Sequence, residues 1–206
     1  MQTQQLALPI DMTILSDASL AQQALAGDQM AFEIMVRRYH TPLFNFIYRF
    51  LGDYDQAYDV LQQVFMRFFT SLPRLATGNP FKPWLFQVAH NCCVDELRRR
   101  RRYAIRFSQL EADNDISFLN EIPDPSPLPE DIAERHDLQQ TLSRAIQSLP
   151  PKFRAVVLLR YTTQLSFAEI GQSLNMPEAT AKTYFHRAKV LLRKILGSQL
   201  QIAYAS

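Results

Sequence analysis

The amino-acid sequence predicts an all-α protein, two small helical domains joined by a flexible acidic linker. Three observations carry that expectation. Apolar residues recur at three- and four-residue steps along most of the chain, the period of an amphipathic helix. Glycine is scarce, with 5 residues in 206, which disfavours tight-turned β structure. The periodicity lapses from residue 103 to 129, where Pro123, Pro125, Pro127 and Pro129 punctuate an acidic stretch that resists packing. The expected divisions are a leader over 1–15, a first helical domain over 16–102, the linker over 103–129 and a second helical domain over 130–206.

Helical signals begin at Ser16 or Asp17, either a suitable N-cap, and the first helix should end by Gly27. Phe32, Met35, Val36, Tyr39, Leu43, Phe46, Ile47 and Phe50 then mark one face of a second helix that Gly52 is placed to end. Pro42 inside it should bend or split it. The third helix, from Tyr54, turns Ala57, Val60, Leu61, Val64, Phe65, Phe68 and Leu72 to one side and should stop at Pro73. Asp59, Gln62, Gln63, Met66 and Thr70 gather on its other side. A fourth helix starts at Pro80 to Pro83, carries Trp84, Leu85, Val88, Ala89 and Cys92 inward, and ends in five arginines, Arg98 to Arg102. Beyond the linker, Ile132, Leu138, Leu142, Ala145, Ile146 and Leu149 mark a helix broken by Pro150 and Pro151. Phe153, Val156 and Val157 begin the next.

Ser166-Phe167-Ala168-Glu169 then has the spacing of a capping box, opening a short helix that should bury Ile170 and Leu174. A break at Asn175-Met176-Pro177 precedes a longer helix from Glu178 to about Leu196, with Pro177 suited to its first position. Ala181, Phe185, Ala188, Leu192 and Ile195 form its inner side. Ala179, Lys182, Thr183, His186, Lys189, Val190 and Arg193 face away. A short helix, a tight break and a long helix that is basic outward have the form of a helix-turn-helix, whose second helix fits the DNA major groove. Small residues such as Ala179 and Thr183 permit close approach to base edges. Lys182, His186, Arg187, Lys189 and Arg193 suit phosphates. The same pattern also describes a plain αα-hairpin with a solvated cationic face.

Formal net charge is only +2, but the charge is unevenly distributed. Eight acidic residues and no Lys or Arg lie between Phe107 and Glu134, whereas from Pro150 to Ser206 eight basic residues face only Glu169 and Glu178. An acidic middle between two cationic zones fits a chain that touches polyanions at two places, although an arginine run is equally at home as a solvated helix end. Cys92 and Cys93 are adjacent and have no other cysteine to pair with, so a reduced, cytoplasmic setting is expected. No stretch approaches a membrane span, and no export signal is read at the start.

The motifs also follow a recognisable order. Asp28 to Glu33, Val36-Arg37-Arg38-Tyr39, Leu51-Gly52-Asp53 and Ala57 to Phe65 resemble region 2 of the extracytoplasmic-function (ECF, group IV) sigma factors of the sigma-70 family. So do Phe81-Lys82-Pro83-Trp84-Leu85, Val88-Ala89-His90-Asn91, Asp95 and Arg98-Arg99. Leu149-Pro150, Phe153-Arg154, Leu165 to Gly171, Thr180-Ala181-Lys182 and Arg187-Ala188-Lys189 resemble region 4. The likeness runs from about Ala18 to Leu196 in the family's order.

The resemblance implies a transcription initiation factor that gives RNA polymerase its promoter specificity and is no enzyme. It implies that Asp59, Gln62, Gln63 and Met66 dock on the clamp helices of the polymerase β′ subunit. The segment from Pro73 to Phe81, with Trp84, His90, Asn91, Asp95, Arg98 and Arg99, would handle the −10 element of promoter DNA. There a flipped base is held by stacking and by a cationic track. By itself a tryptophan such as Trp84 is more often a core residue than a stacking platform. Ala179, Thr180, Lys182, Thr183, His186, Arg187 and Lys189 would read the −35 element. The apolar surface near Leu149, Phe153 and Val157 would meet the β flap, and the acidic linker would thread toward the RNA exit path. An anti-sigma factor is a further partner the family admits; membrane insertion and a cofactor are not implied. Two residues depart from the family pattern. Gln63 stands where an acidic residue is common, and Tyr184 stands where arginine is frequent and lies toward the core side of its helix.

Two other readings compete. A DNA-binding regulator with a helical dimerisation or ligand domain accounts for residues 150–196 equally well, but not for the ordered motifs before Arg99. An enzyme has little to build on. His90 and Cys93 share i, i+3 spacing, yet two ligands make a weak metal site, and no phosphate loop, nucleophile elbow or catalytic carboxylate pair is present.

Overall fold

A computed structural model describes residues 15–75, 80–110 and 130–203. Residues 1–14 of the leader and 111–129 of the expected linker therefore lie outside the described residues, as does 76–79 within the Pro73 to Phe81 segment, while 103–110 of the expected linker are helical. Every regular element among the described residues is helical. They are α1 (Asp17–Leu25), α2 (Gln29–Leu51), α3 (Tyr54–Leu75), α4 (Phe81–Leu110), α5 (Glu130–Gln147), α6 (Pro151–Thr162), α7 (Phe167–Leu174) and α8 (Glu178–Ala203).

Local chemistry explains most of the boundaries. Ser16 accepts a bond from the Ser19 amide and caps α1, and Asp28 accepts from the Met30 and Ala31 amides and caps α2. Gly52 ends α2 at φ +80°, a left-handed conformation that a Cβ would strain. One interior and three ends differ from expectation. Pro42 lies within α2 without dividing it, because Met35, Tyr39, Leu43, Phe46, Ile47 and Phe50 make one continuous buried stripe. Likewise α3 runs past Pro73 to bury Leu75 beside Leu72. Helix α4 continues beyond the arginines to Leu110, and α8 continues beyond Leu196 to Ala203.

Helices α1 to α4 pack as a bundle, with α1 and α3 flanking α2 and α4 closing on both α2 and α3. Its centre is rich in aromatic rings. Phe68 stacks on Phe32 at 5.2 Å and meets Phe81 edge-on at 5.1 Å, and Phe46 meets Phe86 edge-on at 5.8 Å. Asp17 ties α1 down by accepting from the Tyr39 hydroxyl at 2.5 Å and pairing with Arg38 at 2.6 Å. Helices α5 to α8 form the second group, in which α8 packs on α5, α6 and α7.

The two groups do not stand apart. Helix α7 lies on α4, and α6 and α5 lie on α2, so buried residues from both groups form one continuous core. This differs from two modules held only by a strap. Leu149, Val157 and Ile170, each at most 2% exposed, belong to that continuous core. Polar bonds cross the junction too. The Lys82 ammonium donates to the Thr163 carbonyl at 2.9 Å, and Arg154 donates to the Phe50 carbonyl at 2.6 Å.

Candidate functional site

The exposed polar side of α3 is built as the helical period requires. Asp59, Gln62, Gln63 and Met66 all face solvent, and Met66 is 68% exposed, unusual for so apolar a side chain. These four residues line one shallow depression with Arg67 and Arg99. Arg99 comes from α4, so the structure brings the α3 set and one member of the expected −10 set to a single surface.

Along α4 the remaining candidates divide. Trp84 is half-buried against the core, in keeping with its packing role. His90 is half-buried, edge-on to Phe50 at 5.8 Å, and burial lowers its pKa against the opposing effect of Asn91. Asn91, Asp95, Arg98 and Arg99 are exposed. Their pairing sets them apart. Arg99 makes a two-point contact with Glu96 at 2.8 and 3.0 Å, where Glu96 is only 8% exposed. That contact holds the guanidinium on its own helix and raises its pKa. Arg98 meets Asp95 at a loose 3.4 Å. Arg98, Arg101 and Arg102 border a second depression with Asp95. Arg101 and Arg102 were visible in the sequence as part of the arginine run. Nothing in the run itself says which arginines pair inward, because that depends on where Glu96 and Asp53 lie. Arg100 is turned inward, pairing with Asp53 at 3.6 Å and donating to Gln56.

The helix-turn-helix is positioned by three local features. The Ser166 hydroxyl accepts from the Glu169 amide at 3.2 Å, while Glu169 accepts from the Ser166 amide at 2.7 Å, completing the capping box. The Glu169 pKa is lowered, chiefly by its hydrogen bond from the Ser166 side chain. Asn175 ends α7 in the left-handed region at φ 51°. Gly171 permits the return of the chain, since a Cβ there would stand 2.7 Å from the Met176 carbonyl oxygen. Pro177 directly precedes α8, and its carbonyl accepts from the Thr180 and Ala181 amides.

On α8, Ala181, Phe185 and Ala188 are buried, and Ala179, Lys182, Thr183, His186 and Arg187 are exposed together on the outer side. Thr180 is half-buried. Lys182 pairs with Glu178 at 2.7 Å, an exposed i, i+4 pair that phosphate can readily displace. Lys189 is half-buried and lies over the Phe185 ring at 5.8 Å, so its charge is less free than its place on the helix suggests. Tyr184 packs edge-on against Phe153 at 5.1 Å and is half-buried, in keeping with its place on the core side of the helix. The surface near Leu149, Phe153 and Val157 is not presented outward. Leu149 and Val157 lie in the shared core, and Phe153 is half-buried against it. No periodicity in the sequence announces that closure.

Cys93 is fully buried and its thiol is pushed well above its ordinary pKa by burial, so it makes a poor metal ligand beside His90. No helix among the described residues is long and apolar enough to cross a membrane.

Comparison with known proteins follows the same two-part division. Residues 35–103 match the model for Sigma-70 region 2, and residues 139–192 match that for Sigma-70, region 4. The chain is 32% identical to the ECF RNA polymerase sigma factor SigW of Bacillus subtilis, over 84% of this chain and 93% of SigW. It is 30% identical to the ECF RNA polymerase sigma-E factor of Escherichia coli, over 85% of this chain and 91% of that protein. In fold it is similar to CnrH, solved in complex with the cytosolic domain of CnrY, at a TM-score of 0.65 and 22% identity over 88% of this chain and 97% of CnrH. It is also similar to the sigma factor RpoE of Bartonella quintana, at a TM-score of 0.61 and 19% identity over 81% of this chain and 96% of RpoE.

Proposed function

Because the chain belongs to the ECF RNA polymerase sigma factors, we propose that its two helical groups divide the work of promoter recognition between named surfaces. The protein is a sigma factor that directs promoter transcription. Its relatives are regulatory subunits of RNA polymerase rather than enzymes. In our reading the exposed side of α3, with Asp59, Gln62, Gln63 and Met66, docks on the β′ clamp helices. Asn91, Asp95, Arg98 and Arg99 on α4, with Trp84 and His90 as the packed wall behind them, take the −10 element. Ala179, Thr180, Lys182, Thr183, His186, Arg187 and Lys189 address the −35 element, and the apolar side of α6 addresses the β flap.

The observation that carries this reading is the exposed basic face of α8, set behind an intact capping box and turn. That face can enter a major groove without rearrangement of its own helix pair. Met66 supports the polymerase contact, since an exposed methionine amid glutamines suits an adaptable protein interface. We further place the protein in group IV, in the cytoplasm, with region 2 over 16–102, region 4 over 130–206 and a spacer between. The Bartonella quintana relative was solved with an anti-sigma factor, NepR. We extend a partner of that kind to this chain.

The test is retention of the purified chain on RNA polymerase core. A sigma factor binds core in the absence of DNA, and Met66→Asp should weaken that binding about tenfold or more by placing a charge at the contact. A chain that ignores core and binds duplex DNA alone would behave as an ordinary helix-turn-helix regulator, and the assignment would fail.

A further inference from the structure

The turn from α6 into α7 borders a cleft to which the proposed function gives no task. Arg160, Tyr161, Gln164, Phe167 and Phe185 line it, and its volume is about 570 Å³, within the range of small-molecule sites. Every lining residue belongs to α6, α7, α8 or that turn, so α1 to α4 contribute nothing to it.

Three rings shape the cleft. Phe185 is 9% exposed, with Tyr161 at 5.7 Å and Phe167 edge-on at 5.4 Å. Tyr161 is 65% exposed, so its ring offers an open face on which a flat group can stack.

Two cations adjoin the rings. The Arg160 guanidinium donates to the Leu165 carbonyl at 2.8 Å and lies over the Phe167 ring at 5.1 Å, which holds it beside the cleft. The Lys189 ammonium lies over the Phe185 ring at 5.8 Å. Among the described residues neither is engaged in an ion pair, unlike Lys182 with Glu178. From Pro150 to Ser206 the only acidic side chains are Glu169 and Glu178. The capping box occupies one and Lys182 the other, which leaves the cleft electropositive as well as aromatic.

The backbone of Gln164 adds a third observation. Its φ is +56°, a left-handed conformation that glycine takes freely and other residues rarely. Residues held in such conformations concentrate at ligand sites. Here the exposed side chain lines the cleft with an amide that both donates and accepts hydrogen bonds.

A ring to stack, a negative charge to neutralise and a polar edge to read are together the parts of a nucleoside phosphate. We infer that the cleft is a binding site for a free nucleoside phosphate: the base stacks on Tyr161 beside Phe185, the Gln164 amide pairs with the base edge, and Arg160 and Lys189 hold the phosphates. A cleft of this volume takes one nucleotide, whereas a nucleic-acid strand needs an extended groove with successive stacking platforms. Only the sharing of Lys189 touches the −35 assignment; the site itself rests on neither promoter nor polymerase.

Calorimetric titration of the full chain with ATP, GTP, CTP and UTP tests this, with tripolyphosphate and the matching nucleosides alongside. At least one nucleotide should bind, and tripolyphosphate and its nucleoside should each bind about tenfold more weakly or worse, since each satisfies only part of the cleft. Tyr161→Ala removes the exposed ring and should weaken that nucleotide about tenfold at an unchanged unfolding midpoint. Gln164→Gly relieves the backbone, so the fold is kept while the affinities for the four nucleotides converge. Equal affinity for tripolyphosphate and the nucleotide would reduce the cleft to a general anion site and overturn the inference. So would a wild type that binds none of the four at up to about 1 mM, or wild-type affinities in both variants. A single-stranded oligonucleotide that displaces the nucleotide at lower concentration would overturn it in favour of a strand.

Discussion

The Ser173 hydroxyl donates to the carbonyl of Pro83 at 2.9 Å, joining residues 90 positions apart in the sequence. Ser173 is 1% exposed and its single hydroxyl proton is shared between that carbonyl and the Glu169 carbonyl of its own helix, also at 2.9 Å, so one buried hydroxyl serves the helix-turn-helix and the junction. Through this contact the start of α4 and helix α7 share a polar anchor.

The Arg154 guanidinium is the strongest polar element at that junction. Arg154→Met keeps the stem and removes the charge, leaving the Phe50, Gln147 and Leu149 carbonyls without their donor. The expected cost is about 2 kcal/mol. Thermal unfolding by circular dichroism should show a midpoint lower by roughly 4–8 °C. An unchanged midpoint would show that water replaces the guanidinium at no loss.

Gly171 stands where the chain turns back from α7 into α8. The methyl of Gly171→Ala would approach the Met176 carbonyl oxygen to 2.7 Å, and that atom is backbone with little room to move. Destabilisation of about 1–3 kcal/mol is expected, with loss of −35 duplex binding in a gel-shift assay. Wild-type binding by this variant would mean that the turn is looser than its geometry indicates.

The capping box has a pH signature. The folded state lowers the Glu169 pKa, chiefly through the Ser166 side chain. Its stabilisation is therefore complete above the ordinary carboxylate pKa and fades as pH falls through the lower folded value. Wild type should lose stability on acidification across that window, and Glu169→Gln should lose less, measured as the unfolding midpoint at a series of pH values. Ser166→Ala should cost about 1 kcal/mol near neutrality. Parallel pH profiles for wild type and Glu169→Gln would contradict the assignment.

The arginines of α4 should not behave alike. Arg98 is held loosely by Asp95, and Arg101 and Arg102 lie beside it, whereas Arg99 is engaged with the nearly buried Glu96. Arg98→Ala with Arg102→Ala should weaken promoter opening most at low salt, the deficit narrowing as salt rises, because the salt slope of DNA binding falls by about 1–2. Arg99→Ala should instead lower stability, by stranding Glu96. Permanganate reactivity of promoter thymines reads the first effect and thermal unfolding reads the second. Equal opening by the Arg98/Arg102 variant and wild type at every salt concentration would remove α4 from the strand path.

Much of this was legible in the sequence wherever a local rule decides the outcome. The capping box at Ser166, the left-handed end at Gly52 and the inward faces of α3 and α8 follow from spacing alone. The exposed set Asp59, Gln62, Gln63 and Met66 follows as the complement of a buried stripe. What escaped depends on distant partners. An interior proline carries a penalty of roughly 3 kcal/mol, yet the buried stripe through Leu43, Phe46 and Ile47 holds α2 continuous across Pro42. Glu96 engages Arg99 and Asp53 draws Arg100 inward, and no periodicity encodes that choice. The polar contacts across the junction come from Lys82, Ser173 and Arg154, whose acceptors are the Thr163, Pro83 and Phe50 backbone carbonyls and so leave no mark in side-chain pattern.

Initiation mapped at nucleotide resolution tests the central claim most directly. Purified core polymerase is given a promoter library with and without the chain, and transcript 5′ ends are sequenced. The account predicts discrete start sites that appear only with the chain, share two upstream elements, and weaken at the upstream element when Lys182→Ala replaces wild type. An identical set of starts with and without the chain would contradict it.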